Sequence, residues 1–236
     1  MNNQIKFIPV TLDLKNTNLP PLPASKMVPS WFKNIPPERI DEDNIAAFGR
    51  NSGTVKKCIP YIDALTMGYM FVLPFDIEVS VKDNARYLRW QVEGQETFAH
   101  VEPEYRTMGI GVNNNFGPEI WRLTSYPCIE TPSGYSVLVT HPLNRYDLPF
   151  LTLSGVIDTD RLHQESSVAF YLNSSFSGIL EKGTPIAQII PFKRDEWSMN
   201  FSDPYPDKIY NKMKFDIKSI INRSYARQYW SKKKFN

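Results

Sequence analysis

From Gly68 onward the apolar and polar residues of this chain fall into a short period. Residues 69–73 form a continuous apolar run suited to a strand buried on both faces, and Ile77, Val79 and Val81 then alternate with Glu78 and Ser80. Polar residues 82–84 supply a turn before 86–92 alternates again, which predicts a hairpin. Further strands are predicted at 120–124, 135–140, 150–157, 168–173 and 185–190, each bounded by Pro, Gly, Asn or Asp. Many short strands at this spacing predict a mainly β body, a single β-sandwich, jelly-roll or barrel-like domain.

The ends of the chain read differently. A strand is predicted at 6–12, after which prolines at 20, 21, 23, 29, 36 and 37 exclude a long helix. Pro29 suits the first turn of a short helix carrying Trp31 and Phe32, two aromatic anchors and candidate binding residues. Residues 41–53 are polar and turn-rich, 63–67 suit one helical turn, and 93–117, rich in Gly, Asn and Glu, read as a long surface excursion. Gly109 and Gly111 have the spacing of a phosphate loop but lack the third glycine or lysine such a loop needs. After Pro204 and Pro206 the period switches: Ile209, Met213, Ile217, Ile220 and Ser224 recur at helical spacing, with Ile221 and Tyr225 widening the stripe. The expected organisation is a Pro-rich irregular arm over 1–53, a β-rich core over 54–200 and a basic amphipathic helix over 201–236.

Composition sharpens this reading in two places. Nineteen prolines against eleven glycines favour short strands and irregular connections over long helices. The net charge of +2 hides an asymmetry, because residues 207–236 hold nine basic residues against Asp207 and Asp216, leaving that segment at +7 and the remainder at −5. Such a segment offers a contact to nucleic acid or to an acidic protein surface, or forms a solvated helix face. Cys58 and Cys128 have no CxxC or Cys/His spacing and are expected to be buried free thiols. No charged segment precedes an apolar run at the start, and no stretch approaches a membrane span. The expectation is no signal peptide, no membrane, and a location in a virion or the host cytoplasm.

Three constellations carry candidate chemistry. His100 and Glu102, two apart and therefore on one face of a strand, could join His163 or His141 in the facial triad of a non-haem iron oxygenase. Asn144 and Arg145, in the polar turn 140–147, are candidates for anion binding or for tying loops together. The third is the order Gly155-Val156-Ile157-Asp158-Thr159-Asp160, then a strand ending in Asn173, then Lys182-Gly183-Thr184-Pro185-Ile186-Ala187-Gln188.

That third order resembles the C-terminal half of dUTP pyrophosphatases over residues 155–190. The resemblance implies that Asp158 orients the attacking water, with Asp160 and Gln188 beside it and magnesium as the counter-ion. The family's Tyr and Gly after the acidic pair are replaced by Arg161-Leu162-His163, and its upstream serine motif and Gly-rich terminal lid are missing. Across most of its length the chain also resembles a family of unknown function from bacteriophages, especially those of marine cyanobacteria, and from some bacteria. The residues carrying that likeness are Pro29-Ser30-Trp31-Phe32, Thr54-Val55-Lys56-Lys57-Cys58-Ile59-Pro60, 68–74, Gly134-Tyr135, Val139-Thr140, Pro142, Asn144-Arg145 and Gly155-Val156-Ile157. The likeness implies a viral origin and brings no activity. The expected function is therefore a non-enzymatic phage-type β protein without cofactor, binding protein partners or itself, as a structural or accessory virion component. A dUTP-pyrophosphatase-like hydrolase using Asp158 is the alternative, and an iron oxygenase is third.

Overall fold

The structure is a computed structural model; it describes residues 4–10, 20–39, 52–82, 85–91, 98–111, 115–212, 226 and 229–236. The chain divides into two compact units, Met1–Met27 with Gly68–Arg194, and Val28–Met67 with Asp195–Asn236. It is mainly β, with several antiparallel sheets and few, short helices.

In chain order the elements are β1 (Lys6–Ile8), β2 (Leu22–Pro23), α1 (Ser30–Asn34), β3 (Glu38–Arg39), β4 (Ser52–Gly53), α2 (Ile59–Thr66), β5 (Tyr69–Val72), β6 (Ile77–Lys82) and β7 (Ala85–Arg89). There follow β8 (Ala99–Val101), α3 (Glu104–Thr107), β9 (Phe116–Tyr126), β10 (Cys128–Glu130), β11 (Tyr135–Thr140), β12 (Phe150–Thr152), β13 (Gly155–Ile157), β14 (Ser166–Asn173), β15 (Gly178–Leu180) and β16 (Pro185–Lys193). Prolines set the starts of α1 and α2: Pro29 is the residue before α1, and Pro60 stands in the first turn of α2, where a missing N–H costs nothing.

The first unit holds a five-stranded sheet ordered β13-β11-β16-β5-β2, a four-stranded sheet β12-β14-β9-β8, a three-stranded sheet β15-β6-β7 and the pair β1-β10. No described sheet closes into a barrel, contrary to that part of the expectation. A single apolar cluster draws Phe71, Val137, Val139 and Ile189 from the first sheet, Trp121, Leu123, Phe170 and Leu172 from the second, and Ile77, Val79 and Leu180 from the third. Period-two alternation is what lets each sheet commit one face to this cluster. The run 69–73 is buried on both faces as its composition predicts, because Met70 and Val72 pack under Ala24 and Met27 while Phe71 and Leu73 enter the main cluster.

Gly68 opens β5 with φ at +72°, and a Cβ there would lie 2.2 Å from the carbonyl oxygen of Ile189. Only glycine admits so close an approach of one backbone to the next.

Several expectations change. The run 150–157 is two strands: β12 pairs with β14, and after Leu153 and Ser154 the chain crosses to pair β13 with β11 in a different sheet. The stretch 93–117 is more than a surface excursion, since β8 and α3 lie in it and Phe98 is fully buried. Cys58 is exposed, while Cys128 is buried as a free thiol.

In the second unit Phe32 is buried and stacks on Tyr61 of α2, with ring centroids 5.8 Å apart. Residues 207–212 are helical, and the rest of the predicted C-terminal helix, 213–225, lies outside the described residues. Near the chain's end the Trp230 indole N–H and the Lys233 ammonium both donate to the Asp63 carboxylate, Lys233 at 2.7 Å. No described helix is long and apolar enough to cross a membrane.

Candidate functional site

The most polar corner of the first unit forms where β11, β13 and the end of β16 meet. The ladder between β11 and β16 pairs Ser136 with Phe192 and Tyr135 with Lys193, and continues as the Arg194 N–H donates to the Gly134 carbonyl at 2.8 Å. Alternation then puts Arg194 on the same side as Ser136. On β13, Val156 faces Leu138, so Asp158, two residues on, follows on that side as well.

The result is a closed network. The Ser136 hydroxyl donates to Asp158 Oδ1 at 2.6 Å and receives the Arg194 guanidinium at 2.8 Å. The same guanidinium reaches Asp158 at 3.3 Å and grips both oxygens of Asp160, which also accepts the Gly134 N–H at 2.8 Å. Hydrogen bonds from Arg194 and Gly134 hold the Asp160 carboxyl far below the usual carboxylate range, and pairing in return raises Arg194. Below it the hydroxyls of Thr131 and Thr159 meet at 2.7 Å.

The two acids differ in access: the Asp160 side chain is 4% exposed and Asp158 is 54% exposed. Asp160 is a tie between strands. Asp158 is oriented from one side and open to water on the other. Gln188 is fully buried in β16 away from this network, its side-chain oxygen accepting the Leu143 N–H at 2.8 Å.

The 140–147 turn is held from within. Arg145 is buried and bonds both oxygens of Asp147, and Asn144 takes the left-handed φ of +59° that asparagine tolerates. His141 accepts the Thr152 N–H at Nδ1 and donates from Nε2 to the Arg145 carbonyl at 3.1 Å, which defines a neutral tautomer. Burial lowers its pKa, against the smaller raising effect of the Arg145 carbonyl.

His100 and Glu102 lie together at the end of β8, with His100 Nε2 3.8 Å from Glu102 Oε1. Glu102 is buried. It takes a short bond from Arg122 Nε and faces Arg106 at 3.5 Å. Burial raises the Glu102 pKa, but the Arg122 hydrogen bond and the charges of Arg122, Arg106 and His100 outweigh it and leave the group below its ordinary value. His163 lies elsewhere, 3.6 Å from Glu130. Among the described residues no three His, Cys, Asp or Glu side chains form a group able to hold a metal ion.

In the second unit the Lys56 ammonium sits 5.3 Å over the Phe32 ring and donates to the carbonyls of Phe32 and Lys33, closing the C-terminal end of α1. Trp31 meets Phe32 edge-on, and its buried indole N–H has no hydrogen-bond partner among the described residues.

Sequence reasoning missed Ser136 and Arg194, the residues that organise the corner. Arg194 lies four residues past the predicted end of its strand, although Gln188, Ile190, Phe192 and Arg194 continue one alternation and carry the signal. It also missed an apolar run just beyond. Trp197, Met199 and Phe201 are 90%, 89% and 96% exposed, in a segment with no helix or strand.

No protein-family model matches the chain, and no curated protein matches its sequence. It is similar in structure to the dUTPase of Staphylococcus bacteriophage 80alpha, solved as a point mutant with dUpNHpp. The identity is 13% and the TM-score 0.29, over 55% of this chain and 89% of that one.

Proposed function

We propose that this chain is a non-enzymatic phage-type β protein that works by binding protein, as a structural or accessory component found in the virion or the host cytoplasm, with its sheets packed as a sandwich. The observation that carries this is the run Trp197-Ser198-Met199-Asn200-Phe201. Burying a large apolar side chain is favourable by about 1.5–3 kcal/mol, and three such side chains here stand almost entirely in water. Contiguous exposed apolar groups of this kind mark a surface made for another molecule. The polar clusters support the same reading, because Asp160, Glu102 and Arg145 are each engaged by a partner that stabilises the fold. The test is mass spectrometry of phage particles purified from the host in which the gene is expressed. The chain is expected there in a fixed ratio to the other particle proteins, and its absence from particles overturns the virion role.

Asp158 supports a second proposal, a dUTP-pyrophosphatase-like hydrolysis of nucleotides. It is the open carboxylate of the corner, oriented by Ser136 and Arg194, as a general base must be. This reading expects pyrophosphate release from a deoxynucleoside triphosphate with magnesium, abolished in Asp158→Asn. No release across a panel of triphosphates removes it.

A further inference from the structure

The outer face of the five-stranded sheet is covered unevenly. At one side Met70 and Val72 lie under Ala24 and Met27. Farther along, the 140–147 turn closes over Gln188 through the Leu143 N–H. Between this turn and the Asp158 corner, the ladder aligns Val156 of β13 with Leu138 of β11 and Ile190 of β16, and Phe192 follows Ile190 on the same face. Val156 is 62% exposed, Phe192 is exposed and Leu138 is half-buried. The row is an apolar strip whose β13 end is exposed among the described residues. β13 is also an edge strand, paired with β11 alone.

The same chain carries the complementary piece. In Trp-Ser-Met-Asn-Phe-Ser, residues 197–202, apolar and short polar residues alternate strictly. That is the pattern of a strand with one face buried, and in extended form it turns Trp197, Met199 and Phe201 to one side. Among the described residues, this segment pairs with no strand.

From these two features we propose that the 195–206 segment of one chain docks onto the Val156–Leu138–Phe192 strip of a second copy, in a reciprocal exchange that makes the protein a dimer. The inference rests on the protein-binding reading above and names the partner. Its area is sufficient: aromatic side chains bury roughly 150–250 Å² each, so Trp197 and Phe201 from two arms contribute roughly 600–1,000 Å². The strips they cover and the two Met199 side chains bring the total to about the 1,200–2,000 Å² of a stable interface. A second copy is favoured over a different protein because donor and acceptor occur on one chain and two copies satisfy both at once. A two-fold exchange also closes on itself, so it ends at a dimer instead of a filament.

The test is sedimentation equilibrium of the full chain and of two variants. The wild type is expected at twice its 27.3 kDa mass. The arm variant Trp197→Ser/Met199→Ser/Phe201→Ser and the strip variant Val156→Lys are each expected at monomer mass, with the circular dichroism spectrum unchanged. Mixing the two variants pairs an intact arm with an intact strip, so it is expected to restore association through one junction, weaker than the wild-type dimer because half the area is buried. A disulfide between Trp197→Cys on one copy and Val156→Cys on another, formed under mild oxidation, places the contact. A wild type that stays monomeric at the highest concentration reached overturns the exchange. So does a dimer that both variants retain. If a monomeric chain is nonetheless found in particles, the exchange fails while the protein-binding reading stands.

Discussion

The Asp158–Asp160 corner, whose Arg194 lies three residues before Trp197, and the 197–201 run are opposite in how they meet their own needs. In the corner, the Ser136 hydroxyl, the Arg194 guanidinium and the Gly134 N–H converge on two carboxylates, and nothing outside the chain is required. In the run, three large apolar groups stand almost entirely exposed among the described residues. Polar groups buried without partners are costly, so a folded chain satisfies them internally. Apolar groups left in water cost less each and can wait for a second molecule. The comparison separates what maintains the fold from what is left over for association, and each of its halves can be broken on its own.

The largest effect on stability is expected at Glu102, the most deeply engaged carboxylate. Arg122→Ala leaves it buried with Arg106 as its remaining guanidinium. The expected loss is about 2 kcal/mol, below the about 3–5 of a fully buried pair because Arg122 is itself partly exposed. For a chain of this size that lowers the melting temperature by about 4–8 °C.

Next come the pH effects. The Asp160 pKa is lowered in the folded state, so its stabilisation is complete above the ordinary carboxylate range and is lost as pH falls toward the lowered value. Acid unfolding monitored by fluorescence is expected to lose this part of its slope in Asp160→Asn, and Arg194→Ala is expected to shift the onset of unfolding to higher pH. His141 acts in a higher window. Its folded pKa is lowered by burial, so the unfolded chain takes up a proton first. Its stabilisation is therefore present above about pH 6.5 and declines as pH falls below that. Protonation would put a hydrogen on Nδ1, the atom that accepts the Thr152 N–H. Melting curves between neutral and mildly acid pH are expected to fall in the wild type and to fall less in His141→Gln.

The smallest effect on stability is expected from the triple serine substitution at 197, 199 and 201, within about 0.5 kcal/mol by denaturant titration of the monomer. That change matters only to association. If it destabilised the monomer strongly, the run would belong to the fold and the contrast with the corner would collapse.

Some elements were legible from their apolar pattern. Residues 77–81 alternate because β6 buries one face, while 135–140 and 185–190 are short, mostly apolar runs that form β11 and β16, with 185–190 buried on both faces. Pro29 announces α1 because a missing N–H is harmless only at a helix start. The three-residue strands β10 and β15 were not legible, since so short a run has no period of its own and becomes a strand only when β1 or β6 pairs with it. Phe98 was hidden in a polar stretch for the same reason: its burial depends on Phe75 and Tyr126, remote in sequence.

The sequence by itself determined that this chain would be mainly β, because alternation and frequent proline leave few other ways to bury its apolar side chains. It also singled out Asp158 and Asp160, through the resemblance of residues 155–190 to dUTP pyrophosphatases. What only the tertiary structure decided is which groups meet. Arg194 reaches both acids because the register of β16 against β11 carries it alongside Ser136. The run at 197–201 is exposed because no described strand takes it as a neighbour. Pairing register and the absence of a partner are properties of the assembled sheet, and no local run of residues encodes them.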